Sequence, residues 1–348
     1  MKIRIGERLI GEGKPCFIVA EAGVNHNGDI HLAKELIDAA KNAGADAVKF
    51  QAFKAEKIAT MYAEKADYQT RNAGKDKSQL AMLKKLELDE KDIGELYNYA
   101  QKNNIIFLSS AFDRESIDLL NDLGVSAFKI ASGEITNLPL LKYVAKKKKP
   151  IILSTGMSTL DEIEQAVKVI RENGTKDIVL LHCVTSYPAR KEDANLRAIE
   201  TLRREFKLPV GFSDHTLGVT IPIAAAALGA ALIEKHFTLD KSLPGPDHKA
   251  SLEPNELTEM VTAIRDVEKA LGNGVRRLTE EEREIRKKVR RSIVAKEEIL
   301  KGTIITESML DFKRPGTGIE PKHLDRVIGR RTKKDIMPDE LIAVKNLE

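Results

Sequence analysis

The sequence has no tryptophan and only two cysteines, Cys16 and Cys183, among 348 residues. So few thiols exclude a disulfide-stapled scaffold and a zinc site built from several cysteines, and we therefore expect a reducing, cytoplasmic environment. No apolar run approaches the roughly 20 residues that a membrane-spanning helix needs, and the N-terminus lacks a signal-peptide pattern. We therefore expect no membrane association.

Charge of one sign is also scarce, because 57 Lys and Arg residues face 53 Asp and Glu residues, for a net charge of +4. The two signs are interspersed along the chain, which does not indicate a nucleic-acid partner. The composition therefore favours a protein that acts on a small soluble molecule.

Eight short apolar or β-branched runs recur through the first three-quarters of the chain. They span 17–23, 47–53, 105–112, 127–134, 150–157, 178–188, 208–216 and 232–239. Continuous apolar runs of this length suit strands that are buried on both faces of a parallel sheet. Helical patterns such as LDEIEQAVKVIRENG lie between them. The alternation predicts an α/β fold, a (β/α)8 TIM barrel. The alternative, an open doubly wound sheet, is disfavoured because no G-x-G-x-x-G follows the first run.

The alternation stops after Gly272–Gly274, where a charged segment, RRLTEEEREIRKKVRR, follows. We interpret this segment as a solvated linker or helical arm. Short β-type runs and Gly-containing turn signals then predict a small β-rich domain. The predicted division is a barrel at 1–275, a linker at 276–287 and a small domain at 288–348.

Polar residues stand at the carboxyl ends of the eight predicted strands, where barrel enzymes carry their active sites. The pairs expected to share one strand face are Lys49 with Gln51, Ser132 with Glu134, Ser213 with His215, and Glu234 with His236. A charged side chain beneath an apolar helix is costly, so we expect this polar set to face the barrel mouth. Lys129 has the opposite parity to Ser132, which requires a bulge or places one of the two away from the mouth.

His215 and His236 end neighbouring predicted strands and should lie side by side. Two neighbouring imidazoles suit a divalent metal, and with oxygen ligands completing the shell we expect an open six-coordinate site for Mn²⁺, Mg²⁺ or a similar ion. The alternative is a pair of hydrogen-bonded core histidines.

Lys49 and Lys129 at the barrel mouth suggest an anionic substrate that carries phosphate or carboxylate. The alternative is a pair of buried salt bridges to Glu21 and Glu134. Glu21 and Glu234 are candidate general bases, although structural ion pairing explains Glu234 equally well.

Motifs along the whole chain resemble the phosphoenolpyruvate-dependent sialic acid (N-acetylneuraminate) synthases. They are EAGVNHNGD, KFQAFKAEK, KIASGE, ILSTGMST, HCVTSYP, GFSDHTLG, EKHFTLD and PGPDH, in that order. The tail, with GTIITESML and KRPGTGI, is similar to the C-terminal antifreeze-like (SAF) domain of that family. The ordered set is far more specific than any one motif.

This resemblance implies condensation of phosphoenolpyruvate with N-acetylmannosamine and water, giving N-acetylneuraminate and phosphate through C–O cleavage. It implies a divalent metal, Mn²⁺ foremost with Mg²⁺ or Co²⁺ as alternatives, held by His215 and His236. The implied catalytic residues are Glu21, Lys49, Lys129 and Glu134. The implied substrate-binding residues are Gln51, Asn72, Ser132, Ser154, Tyr187, Ser213, Asp247 and Arg314.

Arg314 matches a family arginine that reaches from the small domain toward the sugar's N-acyl group in the partner subunit's barrel. The resemblance thus implies a domain-swapped homodimer. One departure concerns the loop after the sixth strand, where some family members carry an asparagine that helps to bind phosphoenolpyruvate. Here Thr185 or Ser186 occupies the nearest position.

Three alternative functions stay open at this level. The first is a legionaminate or pseudaminate synthase, which uses the same chemistry on a 2,4-diacetamido-trideoxyhexose. The second is a pyruvate aldolase in which Lys129 forms a Schiff base, although the neighbouring metal site would make that lysine redundant. The third is a sugar-binding barrel without activity, against which the retention of Glu21 and both lysines argues.

Overall fold

The chain folds into two compact units, Met1–Gly272 and Asn273–Glu348. A computed structural model describes residues 1–73 and 78–348. Within these ranges, no helix combines the length and apolarity needed to cross a membrane.

The first unit is a closed barrel of eight parallel strands, preceded by an antiparallel hairpin of β1 (Lys2–Ile5) and β2 (Arg8–Gly11). The barrel strands are β3 (Phe17–Gly23), β4 (Ala47–Ala52), β5 (Ile106–Ala111), β6 (Phe128–Ile130), β7 (Ile151–Ser154), β8 (Ile178–Cys183), β9 (Val210–Asp214) and β10 (Leu232–His236). The last strand, β10, pairs with the first, β3, and closes the barrel. Each strand lies in one of the eight apolar runs, so the TIM-barrel prediction is confirmed.

Helices surround this barrel, and most of them bury an apolar face in its core. They are α1 (Ile30–Asn42), α2 (Ala55–Ile58), α3 (Asp67–Ala73), α4 (Gln79–Leu86), α5 (Glu90–Lys102), α6 (Arg114–Leu123), α7 (Leu138–Ala145), α8 (Leu160–Glu172), α9 (Ala198–Phe206), α10 (Thr220–Ala227) and α11 (Pro254–Leu271). Helix α8 shows why the pattern works: Thr159 and Glu162 form a capping box, and Ile163, Val167 and Ile170 are buried.

The N-terminal hairpin closes the floor of the barrel, a feature that the sequence pattern did not predict. Its Ile3, Ile5 and Ile10 are buried in one cluster with apolar side chains from the barrel strands, among them Phe17 and Leu232. The barrel interior on this side is therefore a packed core, and its polar residues collect at the opposite, carboxyl end of the strands.

The second unit contains helix α12 (Glu280–Val289) and an antiparallel pair formed by β11 (Ser292–Ala295) and β12 (Leu310–Lys313). Its core includes Ile293, Ile305 and Ile336. Helix α12 begins inside the predicted linker and has a capping box of its own. The small β-rich domain expected after the barrel is present.

Gly211 in β9 should tolerate no side chain. A Cβ atom there would lie 2.4 Å from the Leu232 carbonyl oxygen and 2.7 Å from Leu181 Cδ2. Since a backbone atom cannot move aside as a flexible side chain can, Gly211→Ala should lower the free energy of unfolding by about 1–3 kcal/mol. Urea denaturation measures this change. Gly133→Ala is the matched control, because a Cβ there meets nothing within 4 Å. Equal stabilities for the two variants would contradict the prediction.

Candidate active site

Four charged side chains meet at the carboxyl end of the barrel, and none is more than 4% exposed. Lys49 Nζ lies 2.7 Å from Glu21 Oε2 and 3.7 Å from Glu234 Oε2. Lys129 Nζ lies 3.6 Å from Glu234 Oε1. Strands β3, β4, β6 and β10 each contribute one member. We call Glu21, Lys49, Lys129 and Glu234 the charge cluster. Glu234 occupies the ion-pairing place that the sequence analysis offered to Glu134.

The pKa values of the four residues in the charge cluster are shifted in different directions. Burial raises the pKa of Glu21 to about 7, against the opposing effect of Lys49. For Glu234, burial is outweighed by Lys129 and Lys49, and its pKa is lowered. Burial lowers the pKa of Lys129, whereas for Lys49 the two carboxylates overcome burial and raise the pKa. Glu21 is therefore the member able to exchange a proton near neutral pH.

Hydrogen bonds between the charged groups and uncharged side chains hold the charge cluster in place. Ser213 Oγ donates to Glu234 Oε1 at 2.9 Å, and Lys49 Nζ donates to Ser110 Oγ at 3.0 Å. Gln51 Nε2 lies 3.4 Å from Glu21 Oε1. Gly23 allows this close approach, because a Cβ there would lie 3.2 Å from Glu21 Oε1 and its φ is +55°. The predicted shared faces are confirmed for three pairs, which are Lys49 with Gln51, Ser213 with His215, and Glu234 with His236.

His215 and His236 lie beside the charge cluster with ring centroids 5.5 Å apart. His215 Nδ1 lies 2.7 Å from the Val184 carbonyl oxygen, which can only accept, so Nδ1 carries the proton and Nε2 presents a lone pair. His236 Nδ1 is buried without a hydrogen-bond partner and lies 4.0 Å from Asp247 Oδ2.

The environment keeps both imidazoles neutral. Burial lowers the pKa of His215 to about 4 and that of His236 well below its ordinary value. Two neutral rings with uncommitted nitrogen atoms fit a divalent ion. Among residues 1–73 and 78–348, no group of three or more His, Cys, Asp or Glu side chains is arranged to hold a metal. An ion held by these two rings would therefore keep its other positions for water or substrate oxygens.

Aromatic rings and the loop 244–248 form the wall next to the histidines. The Tyr187 ring lies 4.1 Å from the His215 ring and stacks on Tyr68 of α3 at 4.9 Å, measured between centroids. Asn72 Nδ2, also on α3, donates to the Pro246 carbonyl at 2.8 Å. Burial raises the pKa of the neighbouring Asp247 to about 6. Tyr68 was not predicted, because it lies on a helix and away from every strand end.

The loops after β6, β7 and β8 meet on another side of the site. Ser132 Oγ accepts from the Gly156 N–H at 2.9 Å and lies 3.2 Å from Cys183 Sγ. A Cβ at Gly156 would lie 2.3 Å from Thr185 Oγ1. Ser154, at the end of β7, is buried. Hydroxyl groups and small residues therefore line this side.

The expected shared strand face of Ser132 and Glu134 is wrong, because β6 ends at Ile130 and both residues lie in a short 3-10 turn. The parity conflict with Lys129 disappears for the same reason. Glu134 is half-buried and accepts a hydrogen bond from Asn137 Nδ2 at 2.7 Å. Its described contacts are therefore with its own turn.

Arg314 lies in the second unit. Its Nε donates to the Val289 carbonyl at 3.0 Å, and the residue is exposed.

Two charged residues were missed by the sequence analysis. Asp214 and Lys235 are completely buried on the strand faces opposite to Ser213 and Glu234. The expectation that charged side chains avoid the helix-covered face is wrong for this pair, because each compensates the charge of the other.

The chain matches the NeuB family over residues 36–276 and the SAF domain over residues 290–348. The chain belongs to the NeuB family. The resemblance to sialic acid synthases and to their SAF domain is thereby confirmed.

Individual relatives cover nearly the whole chain. The N,N'-diacetyllegionaminic acid synthase of Campylobacter jejuni is 54% identical, over 94% of this chain and 99% of that protein. The protein of the same name from Legionella pneumophila is 48% identical, over 97% and 96% respectively. A crystal structure of N-acetylneuraminic acid (sialic acid) synthetase from Leptospira borgpetersenii, in complex with citrate, is 39% identical with a TM-score of 0.72. It covers 82% of this chain and 95% of that chain. The protein is therefore an enzyme of this sugar-acid synthase family.

Glu21 should titrate near pH 7, because its folded-state pKa is raised from 4.5 to about 7. The folded chain then keeps a proton that the unfolded chain has lost, so this group's contribution to stability is complete below pH 4.5 and is lost as the pH rises through 7. NMR of ¹³C-labelled glutamate carboxyls measures the midpoint, and Glu21→Gln identifies the signal. A Glu21 midpoint below pH 5 would refute the expectation.

Proposed function

We propose that this enzyme condenses phosphoenolpyruvate with the open-chain form of an N-acylated amino sugar and with water. The reaction forms a carbon–carbon bond and releases inorganic phosphate by C–O cleavage. Family membership supports this reaction class. The observation that carries the proposal is the charge cluster at the barrel mouth, with two lysines and a carboxyl that titrates near neutrality, beside two neutral histidines.

The proposed acceptor is a 2,4-diacetamido-trideoxyhexose, which would make the product a legionaminic acid. From the sequence alone, N-acetylmannosamine is the first expectation for the acceptor and this diacetamido sugar is the alternative. The two relatives named N,N'-diacetyllegionaminic acid synthase are 54% and 48% identical, against 39% for the structure titled N-acetylneuraminic acid synthetase. This ordering supports the alternative over the first choice.

Lys49 and Lys129 would bind the carboxylate and phosphate of phosphoenolpyruvate. With Glu21 protonated, the charge cluster holds two positive charges and one negative charge, an excess that suits a polyanion. Ser132, in the turn after β6, and Ser154, at the end of β7, would donate hydroxyl hydrogen bonds to the same ligand. Few waters compete in so buried a site, so each of these contacts counts for more than it would at a surface.

Glu21 would be the proton carrier of the reaction. The enol carbon of phosphoenolpyruvate attacks the aldehyde carbon, and the aldehyde oxygen takes up a proton. Water then adds to the cationic carbon that remains and returns one proton to Glu21. The tetrahedral intermediate collapses to a ketone as phosphate departs with its bridging oxygen and takes up the remaining hydroxyl proton. A carboxyl with a pKa of about 7 can both donate and accept at these two points.

His215 and His236 would hold a divalent ion, Mn²⁺ foremost. When bound there, such an ion supplies Lewis-acid polarisation of the aldehyde. The hydrogen bond from His215 Nδ1 to Val184 fixes the tautomer that leaves Nε2 free. Tyr187, packed on His215, and Asn72, bonded to the loop that carries Asp247, would shape the acceptor side.

The enzyme should release phosphate from phosphoenolpyruvate only when the diacetamido sugar and a metal are both present. We expect chelator-stripped protein with Mn²⁺ to turn over this sugar at least about tenfold faster than N-acetylmannosamine, a difference that one mispaired polar group at the acceptor justifies. A coupled phosphate assay measures this rate. Faster turnover of N-acetylmannosamine would reverse the acceptor assignment. No release with either sugar from folded, metal-loaded protein would overturn the reaction.

We further propose a homodimer in which Arg314 completes the active site of the partner subunit. The KRPGTG motif supports this proposal through its resemblance to the family arginine, as does the exposure of Arg314 in its own unit.

Mixing two inactive variants tests this exchange. Glu21→Gln removes the proposed proton carrier, and Arg314→Ala removes the guanidinium group that would enter the partner's site. Refolded together, half of the dimers combine one subunit of each kind and contain one intact site, so we expect about a quarter of wild-type activity. Each variant alone provides the control, and sedimentation verifies the dimer. If both variants are inactive alone and mixing restores no activity, Arg314 acts on its own barrel; if Arg314→Ala alone is fully active, Arg314 acts on neither barrel.

A further inference from the structure

The ion pair between Lys235 and Asp214 lies behind the proposed metal site. Lys235 Nζ is 2.5 Å from Asp214 Oδ2, and both side chains are completely buried. The two residues are direct partners in the parallel pairing of β10 with β9. Because side chains alternate along a strand, the pair projects away from the charge cluster, toward the surrounding helices.

Stability does not explain an ion pair in this position. Removing two charges from water is costly, and well-packed apolar residues of similar size often give a protein that is equally stable or more so. The groups that the pair holds in place explain it better.

Lys235 and Asp214 together fix the turn that follows β9. The Asp214 carboxylate accepts from the Thr216 N–H at 3.0 Å and from Thr216 Oγ1 at 3.1 Å. Lys235 Nζ donates to the Thr216 carbonyl as well as to Asp214. The three groups thus tie the residues on either side of His215 to one lysine of the neighbouring strand.

The same lysine lies between the two residues of β10 that face the site. Glu234 precedes it and His236 follows it, so the position of Lys235 along β10 sets the position of His236. On the other strand, His215 is the residue between Asp214 and Thr216. Its carbonyl accepts from the Ala189 N–H at 2.8 Å, and its Nδ1 donates to Val184. The main chain around His215 is therefore held by Ala189 of the loop after β8, by the pairing of β9 with β10 and by Lys235.

We propose that Lys235 and Asp214 are positioning residues that set the separation of the His215 and His236 rings and thereby the affinity for the metal. This inference rests on the proposed function, since it takes the two histidines as the metal ligands. In this role, neither Lys235 nor Asp214 would contact the substrate.

The test replaces both charges at once by apolar side chains, as Asp214→Leu/Lys235→Met. We expect this variant to keep the far-UV circular dichroism of the wild type and a cooperative thermal transition, at a lower melting temperature because the buried Thr216 N–H, Oγ1 and carbonyl lose their partners. We expect its affinity for Mn²⁺ alone, measured calorimetrically on chelator-stripped protein, to fall about 10- to 100-fold, as when outer-shell partners of metal ligands are removed. In the apo protein, ¹⁵N NMR should show that the His215 Nδ1 proton has lost its protection from exchange.

The matched control is Asp118→Leu/Lys147→Met, which removes the ion pair between α6 and the segment just after α7. This variant should bind Mn²⁺ as the wild type does. His215→Ala tests the metal site itself. If His215→Ala binds Mn²⁺ normally, the proposed metal site is wrong. If His215→Ala loses the metal while Asp214→Leu/Lys235→Met binds it with wild-type affinity, the metal site stands and the positioning role is overturned.

A second variant covers the case in which the double substitution does not fold. Thr216→Val keeps the shape of the side chain and the ion pair but removes the hydroxyl donor to Asp214. Loss of one such hydrogen bond corresponds to about a threefold to tenfold change, and we expect a drop of this size in Mn²⁺ affinity. Unchanged affinity in folded Thr216→Val protein would contradict the inference.

Discussion

Compensation of buried charge is the constraint on which this site depends. Glu21, Lys49, Lys129 and Glu234 are almost completely removed from water, so each must face an opposite charge. The distances between them satisfy this demand unevenly: Lys49 lies close to Glu21, whereas Glu234 is shared between both lysines at longer range. This uneven pairing lowers the pKa of Glu234, whereas burial leaves the pKa of Glu21 at about 7. The network that allows the barrel to bury these charges thus also differentiates the two carboxyls.

Barrel closure creates this network from distant parts of the sequence. Glu21 lies on the first barrel strand and Glu234 on the last, more than 200 residues apart, and they become neighbours only because β10 pairs with β3. The register pairs His236 with Glu21, which places the proposed metal ligand beside the proposed proton carrier. A slip of one residue would turn every site side chain of β10 toward the helices. Lys235, by pairing with Asp214 on the other side, opposes such a slip between β10 and β9.

The sequence was sufficient where period and type of residue carry the information. Apolar runs gave the eight strands, and alternation correctly turned Lys49, Ser213, Glu234 and the histidines toward the site. It failed at Ser132 and Glu134, because no local signal marks where β6 ends and a 3-10 turn begins. It also missed Asp214 and Lys235, since burial of one charge is predictable only when its partner on another strand is known. Tyr68 escaped because its place beside Tyr187 depends on how α3 packs. The motifs did not discriminate between the two acceptor sugars, because loops that shape a pocket leave no periodic pattern.

The hairpin that closes one end of the barrel limits how ligands can reach the site. Because Ile3, Ile5 and Ile10 close one end and apolar side chains fill the interior above them, the site opens on one side only. A ligand held by Lys49 and Lys129 would lie deeper in the barrel than a ligand beside Tyr187 and Tyr68, because the two lysines are the more buried residues. Under the proposed function, the molecule on the lysines would therefore bind first and its neighbour beside the tyrosines second.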